Sequence, residues 1–303
     1  EEEEEDYDDF VKSYDKSNQP EFEKHITEPF VSNYLSGLTP NPCVLCNRSI
    51  KWDEMLRMAD ELGADYVATG HYATVVRNGD RYTLKKAVHA EKDQTYMLYR
   101  LTQEQLSRTI MPLGKLRKDE VREIAKAASL SVSNKADSQE ICFVTEGNYA
   151  DYIVENAKSE VTGAGDFVDE AGHILGRHRG IIHYTVGQRR GLNLALGYPA
   201  YVKEIRADSN TVVIGDEKSL YTDEVRCSDL CFMGMDKPNM GEVIPCFCKI
   251  RYHHREQRAR FVMSDDGTAV LHFDEPVRAA SPGQSAVFYD DEGCLIGGGI
   301  ILR

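Results

Sequence analysis

Asp65-Tyr66-Val67-Ala68-Thr69-Gly70-His71 is a short apolar run that ends in a glycine turn. A helical pattern precedes it from residue 50 to residue 62, and Gly63 is typical of a helix end. The order helix, glycine, buried apolar strand and polar loop is typical of an α/β unit with a parallel sheet. Ligands bind beyond the carboxyl ends of such strands, so a site is predicted at residues 69–71.

The rest of the chain divides into an α/β part and a β-rich part. Helices are predicted at 21–36, 95–101 and 118–130, the last with Val121, Ile124 and Ala125 facing inward, and strands at 81–86 and 141–144. Further short strands are predicted at 201–202, 212–214, 247–252, 269–273, 285–289 and 300–301. Regularly spaced short strands favour a small β-barrel or sandwich. The predicted domains are therefore 1–150, a β-rich linker at 151–205, and a barrel at 206–303.

Charge and hydropathy limit the function classes. The 303 residues carry a formal net charge of -14, and eight of the first nine residues are acidic, so residues 1–20 are expected to be a disordered tail. An acidic chain argues against nucleic acid, although a local basic surface could still bind RNA. No apolar run approaches the roughly 20 residues that span a bilayer. Nothing resembles a secretory signal, and a cytoplasmic protein is predicted.

Cysteines are the candidate reactive groups. Eight in 303 residues are too few for a disulfide scaffold. The pair Cys43-x-x-Cys46 is open to three interpretations: inert loop cysteines, a redox pair, or ligands of a metal or cluster. Cys142, in an apolar setting, is by default a packed core residue. Packing is also expected for five others, Cys227, Cys231, Cys246, Cys248 and Cys294.

Six stretches occur in the same order as motifs of the tRNA-specific 2-thiouridylases, and the resemblance runs from about residue 21 to residue 303. They are Thr39-Pro40-Asn41-Pro42-Cys43-Val44-Leu45-Cys46-Asn47, Ala68-Thr69-Gly70-His71-Tyr72-Ala73, Lys92-Asp93-Gln94-Thr95-Tyr96-Met97-Leu98, Asp137-Ser138-Gln139-Glu140-Ile141-Cys142-Phe143, His183-Tyr184-Thr185-Val186-Gly187-Gln188-Arg189-Arg190-Gly191-Leu192 and Pro282-Gly283-Gln284-Ser285-Ala286-Val287-Phe288-Tyr289.

The resemblance implies an α/β fold of the adenine nucleotide alpha-hydrolase-like or PP-loop type, with a parallel sheet, followed by a β-rich linker domain and a C-terminal β-barrel. It implies that ATP, with Mg2+, adenylates O2 of the wobble uridine (position 34) of a tRNA anticodon stem-loop. A persulfide on Cys142, loaded by a sulfur-donor protein, then delivers sulfur, with Cys46 as partner nucleophile and a disulfide bond among the expected features. No DNA or membrane partner is implied.

Binding roles follow from the same resemblance. Asn41, Pro42 and Cys43 would contact the target base, which must leave the stack before it reacts. Gly70 would lie against ATP. The expected tRNA contacts are His71, Lys92, Asp93, Gln94, Arg251, Tyr252 and Gln284. The residues Lys249, Arg251, His253 and Arg255 alternate along the predicted strand, so reversing Arg251 to Glu is expected to weaken tRNA binding and flatten its salt dependence.

Two departures from the family pattern keep alternatives open. The family loop often carries Asp where this chain has Cys43, and a thiol with a reference pKa of about 8.5 is a poorer base at neutral pH. Cys43, Cys46 and Cys142 could instead hold a [4Fe-4S] cluster through three thiolates. The family's N-terminal Ser-Gly-Gly-x-Asp-Ser phosphate loop is absent from the sequence, which predicts an N-terminally incomplete α/β domain. The competing readings are a tRNA-binding remnant without catalysis and a zinc- or cluster-bearing structural protein.

Overall fold

The structure, a computed structural model, describes residues 20–130, 141–144 and 147–303. The acidic stretch 1–19 and the Asp137–Glu140 part of one motif lie outside these residues. The first domain contains helical segments at Glu23–Thr27 (π), Glu28–Leu35, Pro42–Cys46, Asn47–Trp52 (π), Asp53–Glu61, Gln103–Ser107, Lys118–Ala127 and Tyr149–Asn156. Its strands are β1 (Val67–Ala68), β2 (Ala73–Asn78), β3 (Arg81–Lys86) and β4 (Thr109–Ile110). The 3-10 turns are Ala90–Lys92, Thr95–Met97 and Pro112–Lys115 here, with Ile181–His183 and Lys218–Leu220 further along.

One nearly continuous helix carries the Cys-x-x-Cys pair. It begins at Pro42, earlier than the pattern at 50–62 predicts, and it ends at Glu61. Gly63 follows at a φ of +68°, which confirms the predicted glycine end. The middle of this helix, Asn47–Trp52, is π-helical, a feature that recurs at functional sites because the extra residue in the turn shifts the side chains around the axis.

The predicted parallel pairing is present in a short form. Strands β1 and β4 pair in parallel, with Val67 opposite Thr109. The prediction that this strand is buried is wrong, because Val67 is half-buried and Ala68 is exposed. The strand predicted at 81–86 is confirmed as β3, which forms a hairpin with β2.

Three local predictions in this domain fail. The helix expected at 95–101 is only the 3-10 turn Thr95–Met97, because the buried Tyr96 and Tyr99 pack into the core instead of following a helical face. The helix at 118–127 forms, but Ile124 points outward and is 56% exposed. The strand expected at 141–144 is a turn, closed by the bond from Val144 N–H to the Ile141 carbonyl at 2.9 Å.

The middle domain is a four-stranded sheet in the order β6-β5-β8-β7. Its strands are β5 (Gly165–Val168), β6 (Ile174–His178), β7 (Tyr201–Arg206) and β8 (Thr211–Gly215). The boundary expected after residue 205 falls inside this sheet, since β7 and β8 pair along most of their length. Phe30 and Tyr34 of the first domain belong to the core of this sheet, together with Phe167 and Val202.

The C-terminal domain is a closed six-stranded barrel, as predicted, in the order β10-β11-β12-β9-β14-β13. Its strands are β9 (Tyr221–Phe232), β10 (Val243–Lys249), β11 (Gln257–Met263), β12 (Ala269–Arg278), β13 (Ser285–Tyr289) and β14 (Leu295–Ile301). Phe261 and Phe288 stack in its centre with ring centroids 4.9 Å apart. The packing expected of Cys227, Cys246 and Cys248 is confirmed, because each is at most 6% exposed.

The barrel and the first domain share one hydrophobic core. Leu84 and Tyr99 of the first domain are buried against Val287 and Leu295 of the barrel. The Thr83 hydroxyl also donates to the Leu295 carbonyl at 2.6 Å. The barrel is therefore packed directly against the domain that carries the Cys-x-x-Cys pair, which brings β13 and its preceding loop close to the start of the long helix.

Candidate functional site

The Cys-x-x-Cys pair occupies the first turn of the long helix. Asn41 is the residue before the helix, and its side-chain oxygen accepts from the Cys43 N–H at 3.2 Å. Pro42 is buried at the first helical position, where a missing N–H costs no helical hydrogen bond. The predicted base contacts Asn41 and Pro42 thus have structural roles in fixing the orientation of Cys43, and their contact with a base stays a prediction.

The turn at residues 141–144 brings Cys142 to this helix. Phe143 packs against the cluster of Ile26, Cys46 and Ile50. Its ring also makes edge contacts with Phe30 at 5.3 Å and Phe22 at 5.7 Å. Cys142 itself is exposed, against its default assignment to the core, because its neighbours provide the packing: Phe143 is half-buried and Val144 is buried.

The three thiols lie close enough to influence one another electrostatically. Burial raises the pKa of the Cys43 thiol, and a charge on Cys142 raises it further. Burial also raises the pKa of Cys46 to about 11, with additional contributions from Cys142 and Cys43. In this arrangement Cys43 and Cys46 are protonated at neutral pH, while Cys142 is the thiol that solvent reaches.

Lys51 is a cation that acts on two of these three thiols. Its ammonium lowers the pKa of both Cys43 and Cys46, opposing the effect of burial. Lys51 lies in the π-helical segment Asn47–Trp52, one wide turn beyond Cys46. Sequence reasoning missed it, because an exposed lysine in a helix carries no signal of its own and only the π-helical register indicates a relation to the cysteines.

All eight cysteines are free thiols, so the disulfide bond implied by the resemblance is not present in this structure. Across residues 20–130, 141–144 and 147–303, no group of three or more His, Cys, Asp or Glu side chains is arranged to hold a metal ion. The thiols expected as [4Fe-4S] ligands therefore do not form a preorganised ligand set, and two of them favour the protonated state that metal binding must reverse.

Gly70 and His71 lie beyond the end of β1, as predicted. A Cβ added to Gly70 would meet only Leu113 at 3.7 Å, so no neighbouring protein atom requires glycine there. The His71 ring packs against Trp52 at 5.2 Å and its Nδ1 lies 3.1 Å from the Thr69 hydroxyl. Burial, with a smaller effect of Lys51, lowers the pKa of His71 to about 4, so its ring is neutral at physiological pH.

The triplet Lys92-Asp93-Gln94 is partly internal. Asp93 is 5% exposed, and its carboxylate accepts from the Ala87 N–H at 3.0 Å and the Thr95 hydroxyl at 2.7 Å. Gln94 holds the backbone of Tyr72 through a side-chain oxygen and its own N–H. Direct RNA contact through Asp93 would require this loop to rearrange, so its side chain instead orients the loop on which Lys92 lies.

Two lysines gather beside this loop. Lys86 lies over the Tyr289 ring at 3.9 Å and pairs with Glu256. Burial lowers the pKa of Lys86 to about 8, and nearby Lys249 lowers it further, whereas Asp93 raises it. The charges of Lys86, Lys249 and Asp93 therefore interact across three parts of the fold: β3, β10 and the loop at 92–94.

The position of Arg251 contradicts the prediction that basic residues alternate along one strand face. Strand β10 ends at Lys249, and residues after it turn back over the barrel. The Arg251 Nη2 group donates to the Val186 carbonyl at 2.7 Å, the Ala279 carbonyl at 2.9 Å and the Ser281 hydroxyl at 2.5 Å. Arg251 therefore joins the middle domain to the barrel.

Tyr252 and Gln284 link the barrel domain to the part of the first domain that carries the thiols. Tyr252 is half-buried, packs against His253 at 4.7 Å, and has its pKa raised by burial, by Asp93 and by Cys43. Gln284 donates its side-chain N–H to the Thr39 carbonyl at 2.8 Å. Among the seven expected tRNA contacts, those whose side chains form hydrogen bonds within the protein include His71, Asp93, Gln94, Arg251 and Gln284.

A cleft of about 580 Å³ lies behind the same loop, between residues 38–45 and the barrel strands β9 and β14. Arg100 lines it, 8% exposed and paired with Asp229 at 2.5 Å. Asn41 also borders the cleft, so the residue that caps the thiol-bearing helix belongs to its lining.

Known proteins divide the chain as the structure does. Three family profiles match it: the tRNA methyl transferase HUP domain at residues 10–146, the tRNA methyl transferase PRC-barrel domain at 151–216, and the Aminomethyltransferase beta-barrel domain at 222–301. A relative from Acetivibrio thermocellus, named tRNA-specific 2-thiouridylase MnmA, is 50% identical over 282 residues, covering 92% of this chain and 77% of the relative. The chain belongs to the MnmA family of tRNA-specific 2-thiouridylases.

Two further MnmA relatives agree with this. The relative from Lachnoclostridium phytofermentans is 49% identical over 93% of this chain and 78% of its own length. The relative from Caldanaerobacter subterraneus subsp. tengcongensis, named MnmA 2, is 47% identical over 97% of this chain and 80% of its own length. Within the described part of this MnmA-family chain, no helix is both long and apolar enough to cross a membrane.

Proposed function

We propose that this protein replaces O2 of the wobble uridine of tRNA with sulfur, using Cys142 as the persulfide carrier and Cys46 as the resolving nucleophile. The observation that carries the proposal is the grouping of the Cys43, Cys46 and Cys142 thiols in a chain half identical to named thiouridylases. Cys142 suits the carrier role because it is exposed, and a sulfur-donor protein must reach it.

The proposed chemistry uses each thiol once. ATP, with Mg2+, first adenylates O2 of the uridine, which releases pyrophosphate and makes a leaving group. The terminal sulfur of the Cys142 persulfide then bonds to C2, and AMP departs. The Cys46 thiolate next attacks the Cys142 sulfur, which breaks the S–S bond, leaves one sulfur on C2 and forms a Cys46–Cys142 disulfide. A dithiol reductant restores both thiols for the next turnover.

Cys46 must lose its proton for this step, and its pKa of about 11 disfavours that in the free protein. The Lys51 ammonium opposes the effect of burial and supports the thiolate when it forms. Cys43, with a pKa also raised by burial, is a poor general base, so in this proposal it donates a hydrogen bond at the target base.

The nucleotide would approach the open side of Gly70. Glycine there is not explained by neighbouring protein atoms, since an added Cβ would meet a single side-chain atom at ordinary contact distance. Close passage of a nucleotide against the backbone gives a reason for the residue type. The cluster alternative is not pursued, because the described residues contain no group of three ligands arranged for a metal.

The test measures 2-thiouridine by mass spectrometry after incubation with an anticodon stem-loop, ATP, Mg2+ and a persulfide donor. Cys142→Ser should abolish thiolation and leave tRNA binding intact. Cys46→Ser should trap RNA bound to Cys142 through a reducible bond. Cys294→Ser, a thiol outside the site, is the matched control and should have no effect.

Thiolation that persists in Cys142→Ser would contradict the carrier role. If the wild-type protein and every variant bound tRNA with full affinity and none of them thiolated it, a binding protein without catalysis would be favoured instead. Absence of any tRNA affinity would favour a structural protein with no RNA role.

A further inference from the structure

The loop that leads to the cysteines is held from outside its own domain. The Thr39 N–H donates to the Pro282 carbonyl at 2.9 Å, and the Gln284 side-chain N–H donates to the Thr39 carbonyl at 2.8 Å. Both polar groups of the Thr39 backbone are therefore bonded to one barrel loop. Upstream, Arg303 donates to the Ser36 carbonyl, which attaches the same segment to the end of β14.

Gly283 lets the two loops come this close. Its φ is +91°, and an added Cβ would lie 2.9 Å from the Thr39 nitrogen and 3.0 Å from the Leu38 Cβ. Such distances are too short for any side chain, so glycine is required both by conformation and by contact. The neighbouring backbone is itself fixed, since Gly283 N–H donates to the Ile301 carbonyl at 2.9 Å and Ile301 N–H donates to the Gln284 carbonyl at 2.8 Å.

The contact continues in both directions. On one side, Thr39 is two residues from Asn41, whose side chain caps the helix by accepting from the Cys43 N–H. On the other side, Ser281 accepts from Arg251, the residue that joins the barrel to the middle domain. An unbroken series of contacts thus runs from the interdomain bond of Arg251, through residues 281–284, to Cys43.

We infer that the barrel loop Pro282-Gly283-Gln284 positions the thiol-bearing helix, with Gln284 as a positioning residue that acts through Thr39. The inference rests on the proposed function only in treating Cys43 as part of the reactive site. It separates two roles for Gln284: a contact with tRNA, or a bond that holds the cysteine loop.

The experiment compares labelling of individual cysteines by a pyridyl disulfide, followed by mass spectrometry. In Gln284→Ala the half-buried Cys43 should react about fivefold faster, the factor expected from losing one hydrogen bond. Cys294, in the same chain but outside the site, is the internal control and should not change. Gln188→Ala is the matched variant, because its side-chain N–H also donates to a backbone carbonyl, that of Arg190 at 3.0 Å.

Gln284→Glu gives a readout that a general loss of stability would not reproduce. A carboxylate cannot donate to the Thr39 carbonyl, whereas a protonated carboxyl can. The excess Cys43 labelling, relative to wild type at the same pH, should therefore be present at pH 8 and diminish only between pH 5.5 and pH 4, around the ordinary pKa of about 4.3 of a glutamic acid. Gly283→Ala should increase Cys43 labelling more than Gln284→Ala, because its methyl group displaces the Thr39 backbone.

Unchanged Cys43 labelling in Gln284→Ala and Gly283→Ala overturns the inference, whatever happens to tRNA affinity. An excess that persists undiminished at pH 4 in Gln284→Glu also overturns it. Labelling needs neither ATP nor tRNA, so a failure of sulfur transfer would count against the proposed function and leave this inference standing.

Discussion

Replacing Arg251 with alanine should destabilise the protein. The Nη2 group lies within 2.9 Å of three acceptors on two domains, the Val186 carbonyl, the Ala279 carbonyl and the Ser281 hydroxyl. One guanidinium nitrogen carries only two hydrogens, so the three contacts amount to about two full hydrogen bonds. Bonds from a charged donor contribute roughly 1.5 to 3 kcal/mol each, so two of them give a loss of about 3 to 6 kcal/mol.

Thermal unfolding followed by circular dichroism measures this effect. At roughly 2 to 4 °C per kcal/mol for a chain of 150 to 250 residues, the melting temperature should fall by about 10 °C. Arg251→Lys should recover a part, since an ammonium restores the charge but cannot reach both domains with the same geometry. Arg258→Ala is the control, because Arg258 is exposed and its Asp291 partner is 4.0 Å away.

The competing account of Arg251 is direct contact with the tRNA backbone. It predicts an unchanged melting temperature in Arg251→Ala, weaker tRNA binding and a flatter salt dependence. That combination would refute the interdomain role. A lower melting temperature that Arg258→Ala does not share would support it.

Three further outcomes are expected. The labelling rate of Cys46 should rise about tenfold per pH unit from pH 7 to pH 10, since burial raises its pKa to about 11. At any one pH in this range, Lys51→Met should lower that rate, because the variant removes the charge that opposes the effect of burial. Lys24→Met is the control and should leave the rate unchanged. Stability should fall between pH 6.5 and pH 4, because burial lowers the pKa of His71 to about 4 and the unfolded state binds the proton first; melting temperatures of His71→Gln should fall less steeply over that range. Phe143→Ala should slow oxidative cross-linking of Cys46 to Cys142 severalfold, measured by mass spectrometry, because the turn loses its ring contacts with Phe22 and Phe30, whereas Phe143→Leu should retain most of the rate.

Patterns that depend on neighbours in sequence predicted the fold well. The apolar runs at 212–214 and 285–289 are strands because β-branched and aromatic side chains fill both sides of a buried sheet. Gly63 ends its helix because a left-handed residue is needed there. The closed barrel follows from several such strands with turns between them.

Features that depend on partners distant in the sequence could not be predicted from it. Arg251 reads as one member of an alternating basic strand, but its acceptor Val186 lies in another domain. Asp93 was predicted to be a tRNA contact in a loop, yet its carboxylate is buried and accepts hydrogen bonds from Ala87 and Thr95. Cys142 was predicted to be a core residue because its apolar neighbours pack inward, Phe143 half-buried and Val144 buried. In each case, a tertiary contact overrides a local pattern.

The core shared by the first domain and the barrel bears on the order of synthesis. Leu84 cannot pack against Val287 and Leu295 until these residues leave the ribosome, some two hundred residues later. The hydrogen bond from Thr83 to the Leu295 carbonyl forms equally late. Contacts between such distant residues form late, because a long chain segment must first be closed into a loop. A nascent chain without β13 and β14 also lacks the residues that hold Thr39. The environment that raises the pKa of Cys43 and Cys46 should therefore form only after β13 and β14 have been synthesised.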